Sequence, residues 1–205
     1  MRLGILADIH EDIERLKEAL TLLRRQGTDR FVILGDVFET GQHLRETVAL
    51  LRQVDAIGVW GNHDLGLCHE PDERVRNKYP GTVLDFMTTL RPSLELDGCL
   101  FTHGLPFFDP TDPTIYYLGG YPHEPQNLVR CFQATTQRVL FVGHTHRWLL
   151  ATPEGCLPWR GETPVCLEAE RRWFVVVHAV CDGWRATYDT ITRLLTPFRI
   201  GMAVP

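Results

Sequence analysis

Five short polar motifs carry the side chains of this sequence that can do chemistry: Asp8-x-His10, Gly35-Asp36, Gly61-Asn62-His63-Asp64, Thr102-His103-Gly104 and Gly143-His144-Thr145-His146. Together they offer carboxylate, imidazole and amide-oxygen donors. That mixture suits Mn²⁺, Fe or Zn²⁺ in five- or six-coordinate sites, whereas closed tetrahedral zinc sites favour thiolates. Gly143-His144-Thr145-His146 places two imidazoles two residues apart, on one side of an extended segment, so two ions can share that edge. Gly61-Asn62-His63-Asp64 joins a backbone-permissive glycine to a ligand, a titratable imidazole and a carboxylate placed to orient it. Each motif alone has an ordinary reading as a strand end or a capped turn. The five in order make the ligand set of a hydrolytic centre with two metals.

The elements that must position them follow from apolar periodicity. Leu3 to Ala7 reads as a strand ending at Asp8 and His10, and Ile13, Leu16, Leu20 and Leu23 then recur at helical spacing. Phe31 to Leu34 is a second strand, closed by Gly35-Asp36, with Leu44, Val48 and Leu51 marking a second helix. Ala56 to Trp60 is a third strand, closed by the Asn62 motif. Strands alternating with helices imply parallel pairing, which brings the strand ends to one edge, where open α/β sheets bind ligands. Further on, the spacing predicts a short helix over Val83 to Leu90, a β-hairpin of Leu94–Leu96 and Cys99–Thr102, and a helix near Gln126 to Thr135. Val139 to Val142 is a strand ended by the last motif. Leu105 to Pro125, rich in proline and aromatics, reads as a long ordered loop without helix or strand. Trp173–Val180 and Trp184–Thr190, joined by Asp182-Gly183, read as a hairpin in a second, late sheet.

Composition narrows the classes. The 205 residues are 44% hydrophobic and 23% charged, which fits one soluble domain over residues 1–205 with a packed core. A net charge of −5 without basic runs argues against a broad nucleic-acid surface, and no stretch is long enough for a membrane span. No signal peptide is visible and the six cysteines are scattered, so reduced thiols, packed as small buried apolar residues in a cytoplasm, are expected. A homodimer through an exposed late strand is a further expectation.

The motifs resemble those of the calcineurin-like metallophosphoesterase superfamily, whose pattern is DxH, GDxxD, GNH[DE], a lone His and GHxH; the resemblance covers residues 3 to 150. It implies a four-layer αββα sandwich, an α/β (α+β) fold with metals where two sheets meet. By that resemblance Asp8, His10 and His146 bind one divalent ion, Asn62, His103 and His144 the other, and Asp36 bridges them. The ions are expected to be Mn²⁺ first, with Fe, Zn²⁺ or Ni²⁺ as alternatives. His63 is the implied general acid, oriented by Asp64, and a bridging hydroxide the implied nucleophile.

The sequence departs from the pattern at Glu39, where Asp is usual, and at Thr40, where protein phosphatases of the superfamily carry an arginine that grips a monoester phosphate. Glu39 is expected to support the site rather than bind metal. The chain looks most like the small bacterial phosphodiesterases of the superfamily, with a small phosphate ester, nucleotide-type included, as substrate. A phosphomonoesterase and a catalytically silent scaffold of the same fold are the alternatives. Phe107, Phe108, Tyr116, Tyr117 and Tyr121 could stack a base, but covering a core edge is the reading preferred from sequence. His43, His69 and His123 are expected on the surface and His178 as a satisfied histidine within a strand, all outside the site; Arg147 and Trp148, directly after the last ligand, could reach a substrate, with packing an equally good reading of Trp148.

Overall fold

A computed structural model describes residues 1–200. The first half alternates strand and helix as its periodicity requires: β1 (Arg2–Leu6), α1 (Ile13–Arg25), β2 (Arg30–Leu34), α2 (Leu44–Arg52) and β3 (Ile57–Val59). Asp12 caps α1 by accepting the backbone N–H of Arg15, which fixes where the strand-end loop gives way to helix. Short helices α3 (Leu65–Cys68), α4 (Glu73–Lys78) and α5 (Gly81–Met87) lead into the hairpin β4 (Ser93–Leu96) and β5 (Cys99–Thr102). Then come α6 (Ile115–Leu118), α7 (Pro125–Gln133), β6 (Val139–Val142), β7 (Leu149–Thr152), β8 (Gly155–Cys156), β9 (Val165–Cys166), β10 (Trp173–Val176), β11 (Trp184–Asp189) and β12 (Leu194–Arg199).

Two six-stranded sheets result, ordered β3-β2-β1-β11-β12-β9 and β4-β5-β6-β10-β7-β8. The period-2 alternation of buried residues shows how they stack. Leu3, Ile5, Val32, Leu34, Phe141 and Val175 face the space between the sheets. Their neighbours Leu6, Phe31 and Ile33 pack on the other side against Leu16, Leu20 and Leu23 of α1 and Leu44, Val48 and Leu51 of α2. Leu140, Val142, Phe174 and Val176 likewise pack outward against Leu128, Cys131 and Phe132 of α7. Helices, sheet, sheet and helix are thus the four layers of an αββα sandwich. At its centre Phe101 stacks on Phe141 with ring centroids 5.3 Å apart. No helix among the described residues is long and apolar enough to cross a membrane.

As expected, β1, β2 and β3 run parallel and end on one edge. β6 is parallel to β5 and β10, and the residues after β5 and β6 arrive at the same place from the second sheet. Three expectations need correction. Trp173–Val180 and Trp184–Thr190 are not a hairpin: β10 pairs with β6 and β7 in the second sheet, while β11 pairs with β1 and β12 in the first. The turn signal is real, since Gly183 has φ +88°, but it belongs to a 3₁₀ turn over Val180–Asp182 that carries the chain from one sheet to the other. The Ala7 carbonyl accepts the Val180 N–H there at 2.7 Å. The actual late hairpin is β11–β12, whose connection holds no glycine or asparagine and puts Arg193 at φ +59°. The segment from Leu105 to Pro125 is not free of helix, because α6 forms one turn within it. Of the cysteines, Cys68, Cys99 and Cys131 are buried as expected, but Cys156 and Cys166 are exposed and Cys181 is half-buried.

Phe141 is fully buried between the sheets, in contact with both Phe101 and Tyr188. Phe141→Ala should therefore destabilise the protein by about 3–5 kcal/mol, read as a lower midpoint in urea unfolding with an unchanged slope.

Candidate metal centre

The strand-end residues converge where the two sheets meet, and their backbones are unusual. Asp8, His10, Asp36, His144 and His146 all have positive φ, between 47° and 69°. Each such residue costs about 1–3 kcal/mol relative to a relaxed backbone, although Asp and His tolerate this region better than most. The left-handed turn bends the chain sharply at the end of its strand. Hydrogen bonds hold the bends together: Asp8 and His10 donate their N–H groups to the carbonyls of Gly35 and Asp36 at 3.1 and 2.9 Å, and the His144 N–H donates to the Asp8 carboxylate at 3.0 Å.

The seven expected ligands come together. Asp36 Oδ2 lies 3.7 Å from His10 Nε2 and 3.3 Å from His103 Nε2, so one oxygen stands between two clusters. On one side are His10, His146 and Asp8, with His146 Nε2 3.6 Å from Asp8 Oδ1. On the other, His103 Nε2 lies 3.0 Å from Asn62 Oδ1, and His144 joins Asp36 and His103 in a group able to hold an ion.

The outward-facing ring nitrogens decide what the centre can hold. His10 Nδ1 donates to Glu39 at 2.7 Å, His146 Nδ1 to Asp182 at 3.0 Å, His103 Nδ1 to the Leu34 carbonyl at 2.6 Å, and His144 Nε2 to the Tyr116 carbonyl at 3.1 Å. In the neutral rings the remaining nitrogens carry lone pairs, and those of His10, His146 and His103 turn inward. His10 Nε2 and His146 Nε2 face each other at 3.2 Å, and His103 Nε2 faces only oxygens. Such lone pairs need a positive charge between them, either protons or metal ions, and outer partners of this kind are how proteins orient metal-binding imidazoles. The donor set therefore fits divalent cations.

Electrostatics agree. Burial drives the Asp8 carboxyl well above the ordinary range, against the pull of His103. Burial would also raise Asp36, but the charge and hydrogen bond of His103 outweigh it and hold Asp36 well below the usual carboxylate range. His103, fully buried, would lose its proton on desolvation alone, yet Asp36 and Asp8 push it up to about 9. Burial, reinforced by His103, lowers His144 to about 4 and keeps it neutral. Without ions, a proton on His103 offsets part of the negative charge that Asp36 and Asp8 bring.

His63 stands beside the clusters, one-third exposed, its ring edge-on to His10 with centroids 4.9 Å apart. Its backbone N–H donates to Asp36 at 3.0 Å. The expectation that Asp64 orients its ring needs correction. Asp64 is fully buried and accepts the N–H groups of Gly61, Val37 and Phe38 at 2.9, 3.2 and 2.8 Å, so it ties the second motif to the third through the backbone. Burial, with the nearby charge of Asp36, raises it to about 6. The ring's partner is Glu39, 3.2 Å from His63 Nδ1, and the same carboxylate holds His10. The extra methylene of Glu39 over Asp lets one carboxylate reach both imidazoles.

Three supporting residues have contacts at the site that the sequence does not foretell. Asp182 braces His146 from the turn between the sheets. Its sequence signal, a charge next to glycine, is equally that of a hairpin turn. Glu11 is buried and accepts the N–H groups of Glu39, Gly41 and His43, shaping the loop that presents Glu39. Tyr117 places its hydroxyl 3.2 Å from Asn62 Nδ2. Among the remaining histidines, His43, His69 and His123 join neither cluster. His178 stacks on Trp184 and accepts the Ala179 N–H at 2.8 Å, so it is satisfied as expected, although it lies just beyond the end of β10 rather than within a strand. Trp148 is buried among Trp159 and Trp184, which leaves Arg147 as the member of that pair able to meet a substrate.

The family profile described as "Calcineurin-like phosphoesterase superfamily domain" matches residues 1–181. The chain belongs to this superfamily. Among solved structures, a metallophosphoesterase from Sphaerobacter thermophilus aligns over 99% of this chain and 89% of its own, with a TM-score of 0.80 and 21% identity. A novel archaeal phosphodiesterase aligns over 98% of this chain and 100% of its own at TM-score 0.58 and 17% identity. A protein serine/threonine phosphatase from Saccharomyces cerevisiae aligns over 100% of this chain and 81% of its own at TM-score 0.54 and 14% identity. No curated protein sequence matches the chain significantly. Diester and monoester hydrolases thus share this calcineurin-like fold, and substrate choice has to be argued from the site.

With His103 raised to about 9 it carries a proton at neutral pH, and a metal ion that binds its Nε2 must displace that proton. Metal binding at pH 7 is therefore expected to release protons, with affinity rising about tenfold per pH unit towards pH 9 and falling in acid. Calorimetric titration of Mn²⁺ in buffers of different ionisation enthalpy reads this directly, and a heat independent of buffer would refute it.

Proposed function

We propose that this protein hydrolyses phosphodiester bonds of small or nucleotide-type substrates at a centre of two divalent ions, with Mn²⁺ as the first choice. The observation that carries this reading is the inward convergence of imidazole lone pairs around one shared Asp36 oxygen. Asp8, His10 and His146 would hold one ion, Asn62, His103 and His144 the other, and Asp36 both. When bound, the ions supply Lewis-acid polarisation of the phosphoryl oxygen and acidify a water to the point of attack near neutral pH.

The chain's own residues do the rest. Glu39 fixes the His63 ring through Nδ1, so Nε2 is the atom free to give a proton to the departing oxygen. Glu39 also holds His10, and the acid therefore keeps a fixed position relative to one ligand cluster. Thr40 stands where a monoester-gripping arginine would be needed, and the single negative charge of a diester makes less demand for such a clamp. A scaffold would have no need of a positioned His63. The described cysteines are all free thiols, which fits a reducing compartment such as the cytoplasm.

Bis-p-nitrophenyl phosphate should be turned over faster than p-nitrophenyl phosphate by Mn²⁺-loaded protein. Asp36→Asn should abolish turnover of both esters. His63→Ala should lose about 10²-fold or more in kcat on diesters with an alkyl leaving group, and less on p-nitrophenyl esters, whose departing oxygen needs little protonation. A monoester preference would put the monoesterase in place of this reading, and turnover of neither ester would favour the scaffold.

A further inference from the structure

A cavity of about 270 Å³ opens beside the metal centre, reaching His103 and His144 at its inner end. Its walls come largely from the aromatic segment before α7. These aromatics divide into two kinds. Tyr116 is 7% exposed and packs on Gly104, where even a methyl group would come within 2.6 Å of its ring, and Phe108 packs in the same way on Gly119. These two cover a core edge, the reading preferred from sequence, and also form part of the cavity wall. Tyr117 and Tyr121 line the cavity and are 71% and 60% exposed; Tyr117 lies edge-on to His144, and Tyr121 stacks on the imidazole of His123, also on the wall, with centroids 5.6 Å apart, so a planar pair of rings already stands at the cavity. Exposed aromatic faces on a cavity next to a reactive centre are the usual form of a stacking platform. Arg147, also on the wall, adds a planar cation that can stack or donate hydrogen bonds to ring acceptors.

The position of His63 gives the cavity a direction. His63 is not among the cavity's walls; its ring packs on His10, which belongs to the cluster away from the cavity. A proton donor must face the departing oxygen, so the leaving alcohol occupies the His63 end and the cavity receives the group that stays on phosphorus. A volume of about 270 Å³ is enough for one ring system with part of its sugar.

We propose that this cavity is the subsite for the retained substituent of the diester, and that its occupant is the heteroaromatic base of a nucleotide. The proposal rests on the phosphodiesterase reading and adds to it the identity and side of the specificity group. The reaction is then hydrolysis of a nucleoside 5′-phosphodiester: water adds to phosphorus, the bond to the departing alcohol breaks, that alcohol takes up a proton, and the nucleoside monophosphate is released.

Two measurements on Mn²⁺-loaded protein test it. In the first, thymidine 5′-(p-nitrophenyl phosphate) and methyl p-nitrophenyl phosphate share a leaving group and differ only in the retained group. The thymidine ester should have about tenfold higher kcat/KM, expressed in KM, and Tyr121→Ala should reduce the ratio to near one. In the second, calorimetric binding of thymidine 5′-monophosphate is compared with that of 2-deoxyribose 5-phosphate, again with about tenfold preference expected for the base-bearing ligand and lost in Tyr121→Ala. Equal binding of the two phosphates, with hydrolysis of bis-p-nitrophenyl phosphate intact, would overturn the subsite and leave the phosphodiesterase standing. Tighter binding of octyl phosphate than of the nucleotide would overturn the base in favour of an apolar chain. Base-selective binding without hydrolysis of any diester would overturn the enzymatic reading on which the proposal rests.

Discussion

Two imidazole nitrogens pointing their lone pairs at each other across 3.2 Å repel unless a positive charge lies between them, and much of this structure serves to keep them there. Each ring is fixed from behind: His10 by Glu39, His103 by the Leu34 carbonyl, His144 by the Tyr116 carbonyl and His146 by Asp182. With their outer N–H groups engaged, the rings have no relaxed alternative in which the inner nitrogens turn away. The pre-set geometry removes most of the reorganisation that a cation would otherwise impose on its ligands.

The same constraint explains the architecture at the mouth of the sandwich. Ligands must arrive from both sheets, so the strands of each end at the same edge, and the chain turns through left-handed backbone immediately afterwards. Buried carboxylates with no metal to bind stitch these turns to one another. Asp64 gathers three backbone N–H groups from the second and third motifs, and Glu11 gathers three from the loop that carries Glu39. Backbone hydrogen bonding to a buried carboxylate is a stiff device, because the acceptor has nowhere else to satisfy its charge.

The ligands were legible in the sequence because a strand ending in a polar motif is a local signal, and parallel βαβ pairing turns local signals into a shared edge. The braces were harder to read. Asp182 meets His146 only because the turn after β10 crosses between sheets, and the Asp-Gly pair that marks this turn also marks hairpins; periodicity says nothing about which strand a neighbour pairs with. Glu39 was placed in a supporting role from sequence, but that it serves His10 and His63 together depends on the length of its side chain in a loop shaped by Glu11. Asp64 follows His63 directly, and adjacency in sequence suggests a contact, but its carboxylate is taken up by the N–H groups of Gly61, Val37 and Phe38. The aromatic segment has no periodicity, and only exposure in the folded chain separates Tyr116 and Phe108, which are packed, from Tyr117 and Tyr121, which are not.

β1, the first strand made, lies between β2 and β11, so one of its edges stays open until residue 189 has been added to the chain. Asp8 and His10 end that strand, while the partners that complete their surroundings, His146 and Asp182, are among the later residues. On a ribosome adding residues from the N-terminus, the motif at residues 8–10 emerges early but stays incomplete through most of synthesis. The complete cluster is therefore among the last parts of the molecule to be assembled, because a chain that keeps only the first three motifs lacks His103, His144 and His146.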